Sequence, residues 1–155
     1  MSDFDKALEI ILGSEGGYVN DPRDSGGETK FGIAKKFYPS VDIKNLTVAQ
    51  AKEIYLKDYW TKAGCDALPY PFALCLFDSA VNQGVGTAIK LAQKACDLEA
   101  DGIIGKGSRA AFAKSGSEEL SLFLTYRALR YTETKGFDVY GKGWIKRLFH
   151  VALEV

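Results

Sequence analysis

Pro71 is followed by Phe72-Ala73-Leu74-Cys75-Leu76-Phe77, a run without a polar side chain that constrains the fold more than any other stretch. Proline is tolerated where a helix starts, and a helix apolar on every side belongs at the centre of a structure rather than on its surface. The rest of the chain reads as further helices able to surround it. A first helix begins near Phe4, with Ser2 or Asp3 as cap, and carries Phe4, Leu8 and Ile11 at helical spacing. Ala34 to Phe37 reads as a short helix broken by Pro39. In the next, Thr47 and Gln50 form a capping box, Leu46 staples onto Ala51, and Ala51, Ile54 and Tyr55 lead towards Tyr59 and Trp60. Thr87 is the expected cap of a helix through Leu91, Ala92, Ala95 and Leu98. Ser117 is the expected cap of one carrying Leu120, Phe123, Leu124, Arg127 and Tyr131. Trp144, Leu148, Val151 and Val155 form a last stripe. About seven helices with one small loop or hairpin make a mainly α, or α+β, domain.

The exception to helical reading is Glu15 to Ala34, EGGYVNDPRDSGGETKFGIA. Glu15 extends the stripe of the first helix, four residues after Ile11, seven after Leu8 and eleven after Phe4, so a straight helix aims its carboxylate at the core. Burial and the negative end of the helix dipole both raise a carboxyl pKa, and a carboxyl group protonated near neutral pH is what a general acid requires. Gly16 and Gly17 end the helix there. The plainer alternative is a helix-terminal glutamate turned back into water. Asp21-Pro22 and Asp24-Ser25-Gly26-Gly27 are turn signals, and Thr29-Lys30-Phe31-Gly32-Ile33 alternates like a short strand, so the segment folds back as a loop or hairpin. That brings Asp24 and Thr29 to face Glu15. A glycosidase needs an acid for the leaving oxygen and a second group that activates water or stabilises the developing positive charge, and Asp24 and Thr29 are the candidates. Asp24 could equally serve only an Asx turn.

The patterns E-G-G-Y and D-x-x-D-x-G-G-x-T-x-x-G-I resemble the glycoside hydrolase family 108 N-acetylmuramidases, lysozyme-like enzymes of phages and prophages. The likeness continues through Leu46-Thr47, Ala51-Lys52, Ile54-Tyr55, Tyr59-Trp60, Phe77-Asp78, Val81-Asn82, Asp101-Gly102, Gly105 and Gly143-Trp144 with Arg147. It implies an α+β lysozyme-like fold and makes Glu15 the catalytic acid, with Asp24 and Thr29 as its matched companions. It further implies one domain over residues 1–155, with 1–86 as the catalytic part and 87–155 as a helical, peptidoglycan-binding-like part packed on it. Asp101-Gly102-Ile103-Ile104-Gly105 looks like the D-G-x-x-G turn of peptidoglycan-associated helical modules. Here it continues into Lys106-Gly107-Ser108, without the common proline and with serine for threonine. The implied reaction is cleavage of the β-1,4 bond between N-acetylmuramic acid and N-acetylglucosamine. A lytic transglycosylase is one alternative. A non-catalytic wall-binding or secretion-activating protein is another, because family members have carried that label.

Substrate-binding candidates are Tyr18 and Lys30 on the polar segment, then Tyr55, Tyr59 and Trp60, then Asp78 and Asn82. The three aromatics read either as core or as the lining of a sugar cleft, where ring faces stack and polar tips bond hydroxyls. Asp78 and Asn82 lie four apart on one helix face and either satisfy neighbouring helices or bind substrate.

Other functions find little support. Zero net charge and a pI near 6.6 argue against a nucleic-acid binder, although residues 1–105 carry −4 and 106–155 carry +4. A basic second segment suits an approach to an anionic wall, or is simply a solvated face. Cys65, Cys75 and Cys96 lack metal-type spacing, and His150 is the sole histidine, so buried thiols are the reading and neither metal nor cofactor is expected. Asp97 to Gly102 opens like a calcium loop, but its twelfth position is Ser108, which cannot replace a bidentate glutamate. Acidic and basic residues interrupt the first helix as they would no signal peptide, and no later run is long enough to span a bilayer. The expectation is a monomer held in the cytoplasm, without stable membrane insertion, until a holin or other membrane-perforating partner releases it to the wall.

Overall fold

The computed structural model describes residues 1–14, 17–23 and 25–155. They divide into two compact units, Met1–Asp58 and Tyr59–Val155.

The first unit begins with α1 (Asp3–Ser14). Ser2 caps it: its hydroxyl accepts the Asp5 N–H at 3.1 Å and donates to the Asp5 carboxylate at 2.7 Å. Phe4, Ala7, Leu8 and Ile11 are buried, as the spacing of the three larger side chains predicts. Two strands of two residues each, β1 (Thr29–Lys30) and β2 (Ile33–Ala34), pair antiparallel with Thr29 opposite Ala34 and Lys30 opposite Ile33. The expected single strand over 29–33 is therefore a tight hairpin. Its turn is Phe31-Gly32, both with positive φ (52° and 78°), which is how a two-residue connection matches the twist of its strands. The short helix expected over 34–37 is instead a set of turns, because Ala34 is used in the hairpin. α2 (Val48–Tyr55) starts with the predicted Thr47–Gln50 capping box, both bonds made, at 3.2 and 2.9 Å. Two contacts tie these pieces together. Lys52 on α2 pairs with Asp5 on α1 at 2.5 Å, and the buried Tyr55 donates its hydroxyl to the Phe31 carbonyl, also at 2.5 Å.

A π-helical turn, Leu56–Thr61, continues directly from α2. In the second unit, a 3-10 turn (Cys65–Ala67) precedes α3 (Tyr70–Gln83), then α4 (Val85–Ala95), α5 (Lys106–Ala113), α6 (Ser117–Glu133) and α7 (Phe137–Ala152). Pro71 sits in the first turn of α3, and every residue from Phe72 to Ala80 is buried. The helix apolar on all sides is accordingly surrounded, by α4, α6, α7 and the 3-10 turn. Phe72 packs its ring on Phe112 and Phe123, with centroids 5.2 and 5.5 Å apart, and Phe77 meets the edge of Trp60 at 5.4 Å. Fully burying a side chain of this size stabilises a fold by about 1.5–3 kcal/mol.

Three expected helix ends differ. Gly84, with φ 93°, breaks α3 and is the residue preceding α4, so Thr87 lies inside the first turn rather than capping it. Gly116 is the cap of α6, its N–H bonded to the Glu119 carboxylate at 2.8 Å, and Ser117 is the first helical residue. Val155 lies beyond α7 and is exposed, so the last buried stripe ends at Val151.

Seven α-helices and a minimal hairpin among the described residues make the expected mainly helical, α+β lysozyme-like fold. No helix of the described residues is long and apolar enough to cross a membrane.

Candidate functional site

Glu15, Gly16 and Asp24 lie outside the described residues, so the proposed acid, the glycine after it and the first of its companions carry no geometry here. Val19 forms an antiparallel bridge with Thr29, each N–H bonded to the other's carbonyl at 2.8 Å. Since Thr29 also pairs with Ala34, it is the middle of three chain segments, with its backbone fixed from both sides. Its hydroxyl is half-buried and reaches the Gly27 carbonyl only at 3.5 Å, a loose bond that leaves it free to find another partner.

Tyr18 is exposed and donates to the Glu28 carboxylate at 2.8 Å. That hydrogen bond, with burial and the charge of Glu28 added, raises the tyrosine's pKa above its usual value. Glu28 was not singled out by its place in the sequence, where it is one more polar residue in a turn. Only the bridge at Val19 and Thr29 brings it within reach of Tyr18. Lys30 spends its ammonium on the Lys44 carbonyl at 3.1 Å. Arg23 closes on Asp21 through paired bonds at 2.9–3.2 Å, which lowers the Asp21 pKa. The first unit thus brings Tyr18, Thr29, Lys30 and Tyr55 to or beside one hairpin.

The remaining candidates belong to the second unit. Trp60 is buried and its indole N–H donates to Asp66 at 2.9 Å, while Tyr59 is half-buried. Asp78 is buried inside a charge cluster. One oxygen accepts from Arg127 Nη2 at 2.7 Å, and the other accepts from Arg147 Nε at 3.0 Å and pairs with its Nη2 at 3.0 Å. The Arg127 side chain is 0% exposed, and the Gln83 side chain and the Cys75 carbonyl accept its other N–H groups at 3.0 and 3.4 Å. Burial opposes its charge, but the Asp78 carboxylate more than offsets this and holds its pKa above the usual value. Tyr131 donates to the Asn82 side chain, so Asn82 joins the same cluster. A signal for it existed. Phe123, Arg127 and Tyr131 recur every four residues on α6, which puts the arginine on the stripe that α6 buries, and Asp78 is the one charged residue in the otherwise uncharged α3.

A second polar centre went unnoticed in the sequence. Gln93, 1% exposed on α4, donates to Asp101 at 2.8 Å, to the Ile103 carbonyl at 3.0 Å and to Ser108 at 3.1 Å, and accepts the Gly102 N–H at 2.9 Å. It pins the loop 101–103 and the first turn of α5. The Ile103 N–H and Gln93 together lower the Asp101 pKa. Burial pushes the Cys75 thiol up to about 12 and raises Cys65 further, while Cys96 is only partly covered.

The described residues thus form helices and one small hairpin, with Thr29 held between two chain segments. The family model described as Glycosyl hydrolase 108 matches residues 8–84. The structure of Brucella abortus SagA matches with a TM-score of 0.86 and 31% sequence identity, over 96% of this chain and 90% of that one. No curated protein sequence matches. The chain belongs to the glycosyl hydrolase 108 family. It is a glycoside hydrolase, and the family supports peptidoglycan hydrolysis of the N-acetylmuramidase type.

Proposed function

We propose that the chain hydrolyses the β-1,4 bond between N-acetylmuramic acid and N-acetylglucosamine, with Glu15 as general acid and Asp24 and Thr29 serving the opposite face of the sugar. The observation that carries this reading is the Glu15…Asp24…Thr29 pattern within the matched residues 8–84, ending on a threonine whose backbone is fixed and whose hydroxyl is loosely engaged. A hydroxyl held on a rigid strand suits the positioning of a water, and a positioned water is the nucleophile of an inverting reaction. Inversion is the favoured outcome. It requires the Glu15 and Asp24 carboxyl groups about 6.5–9.5 Å apart, whereas about 5 Å would suit a covalent, retaining route.

In the cell the enzyme acts as an endolysin. It stays in the cytoplasm until a holin or similar partner breaches the membrane, then reaches the wall. Fractionation of expressing cells tests this, and export without a breach would contradict it.

The decisive experiment is Glu15→Gln in a turbidity assay on outer-membrane-permeabilised cells. The amide keeps the side-chain volume but has no acidic proton, so lysis disappears while the thermal midpoint holds or rises. A variant keeping more than a small fraction of parental cleavage removes Glu15 from the acid's role. Mass analysis of the fragments separates hydrolysis from transglycosylation, whose anhydro ends are one water lighter. NMR of the first-formed anomer distinguishes inversion from retention, and Asp24→Ala and Thr29→Ala should lower turnover more than binding.

A further inference from the structure

The second unit contains an open cavity of roughly 540 Å³, within the size range of small-ligand sites. Lys62 and Arg109 line it, together with the aliphatic side chains of Val85, Ile89 and Ile104. The side chains of the two cations make no hydrogen bond or ion pair among the described residues, and no carboxylate lines the cavity. A Cβ on Gly64 (φ 78°) would crowd the cavity residue Ile104 at 3.3 Å, and one on Gly102 (φ 77°) would press on the Lys90 side chain at 3.2 Å. The ammonium-bearing stem of Lys90 therefore crosses the glycine that forms part of the cavity wall. Gln93, with its hydrogen bonds to Asp101, Gly102, Ile103 and Ser108, fixes that wall in advance. A preformed cavity with uncompensated positive charge and aliphatic sides is suited to an anion carried on a small apolar group.

We propose that this cavity binds a carboxylate on a short aliphatic segment, of the kind that ends the alanine-bearing stem peptides of peptidoglycan. The assignment of this source rests on the muramidase reading above. The planar fork of Arg109 can engage both carboxylate oxygens, Lys62 adds a second charge, and the side chains of Val85, Ile89 and Ile104 accept methyl groups. Inorganic phosphate offers the charge without the aliphatic part, and this difference separates a peptide site from a general anion site.

The test is a titration of the whole chain, followed by NMR, with diacetyl-L-lysyl-D-alanyl-D-alanine, its C-terminal amide and inorganic phosphate. The free acid should shift the amide resonances of Gly86 and Gly102 and bind more tightly than either other probe. Arg109→Gln, an exposed position, should weaken it roughly five- to tenfold, and Lys62→Gln should weaken it too. Equal binding of acid and amide, equal binding of phosphate, or unchanged binding by both variants would overturn the proposal. In hydrolysis assays, Arg109→Gln should raise KM on intact sacculi with kcat unchanged and leave the cleavage of peptide-stripped glycan strands as it was. If the parental protein cleaves neither polymer, the muramidase reading fails, and the peptide titration still decides the cavity by itself.

Discussion

Asp78→Asn removes one charge from the most buried polar cluster in the second unit while keeping the side chain's shape. Asp78 is 1% exposed, Arg127 0% and Arg147 13%, so one carboxylate faces two arginines, one of which has no path to water. Arg127 would be left as a fully buried charge without its counter-ion. Breaking a buried pair in this way costs about 3–5 kcal/mol, a large share of the roughly 5–15 kcal/mol that holds a typical domain folded. For a chain of this length each kcal/mol moves the thermal midpoint by about 2–4 °C, so a fall of about 6–20 °C is expected. Circular dichroism through the melt reads it. Replacing both partners, Asp78→Leu with Arg127→Met, should recover part of the loss, because the fully buried charge leaves together with its counter-ion. Well below its midpoint the Asp78→Asn protein should still hydrolyse sacculi at close to the parental rate. A midpoint within about 2 °C of the parent, with turnover collapsed, would refute this reasoning and return Asp78 to the substrate.

Other outcomes follow from single contacts. Hydrogen bonds from Lys52 and Ser2 hold the Asp5 carboxyl at about 2, below its ordinary 3.8, so the stability this pairing lends is complete above the unfolded value and is lost as pH falls through the folded one. Lys52→Met should move the NMR titration midpoint of Asp5 back towards 3.8, and an unmoved midpoint would exclude the lysine as the cause. Tyr55→Phe leaves the Phe31 carbonyl without its donor and should cost about 1–2 kcal/mol in chemical denaturation, a loss that a surface tyrosine would not show. Thiol reagents should modify Cys96 first and reach Cys65 and Cys75 only on unfolding, which mass spectrometry of the native protein checks.

Legibility in the sequence followed the range of the interaction concerned. The Thr47 cap, the stripe of Phe4, Leu8 and Ile11, and the all-apolar start of α3 depend on residues a turn apart, and each appears in the structure where its spacing puts it. Helix starts at Gly84 and Gly116 were displaced to Thr87 and Ser117 because hydroxyl residues are the stronger statistical caps, whereas here glycine backbone geometry and Glu119 supply the end. The hairpin turn was hidden by Phe31, a residue rarely given a positive φ and held here with its carbonyl bonded to Tyr55. The partners of Asp78, Gln93 and Tyr18 lie 8 to 69 residues away, and no local pattern names them. For the candidate site, the motif supplied residue identities, while the surroundings of Thr29 came from the Val19 bridge.

The Asp78 cluster also bears on how the second unit acquires and keeps its structure. Its two arginines stand 49 and 69 residues along the chain from the aspartate, so no part of it can form while α3 is alone or paired only with α4. Closing such long loops costs entropy before any return comes from the charges, and a half-assembled cluster is worse than none, since either sign would be desolvated unpaired. The cluster is thereby a late event on the folding path. Interactions absent from the transition state govern how fast a protein comes apart rather than how fast it forms, so loss of this cluster should speed unfolding of the unit more than it slows folding.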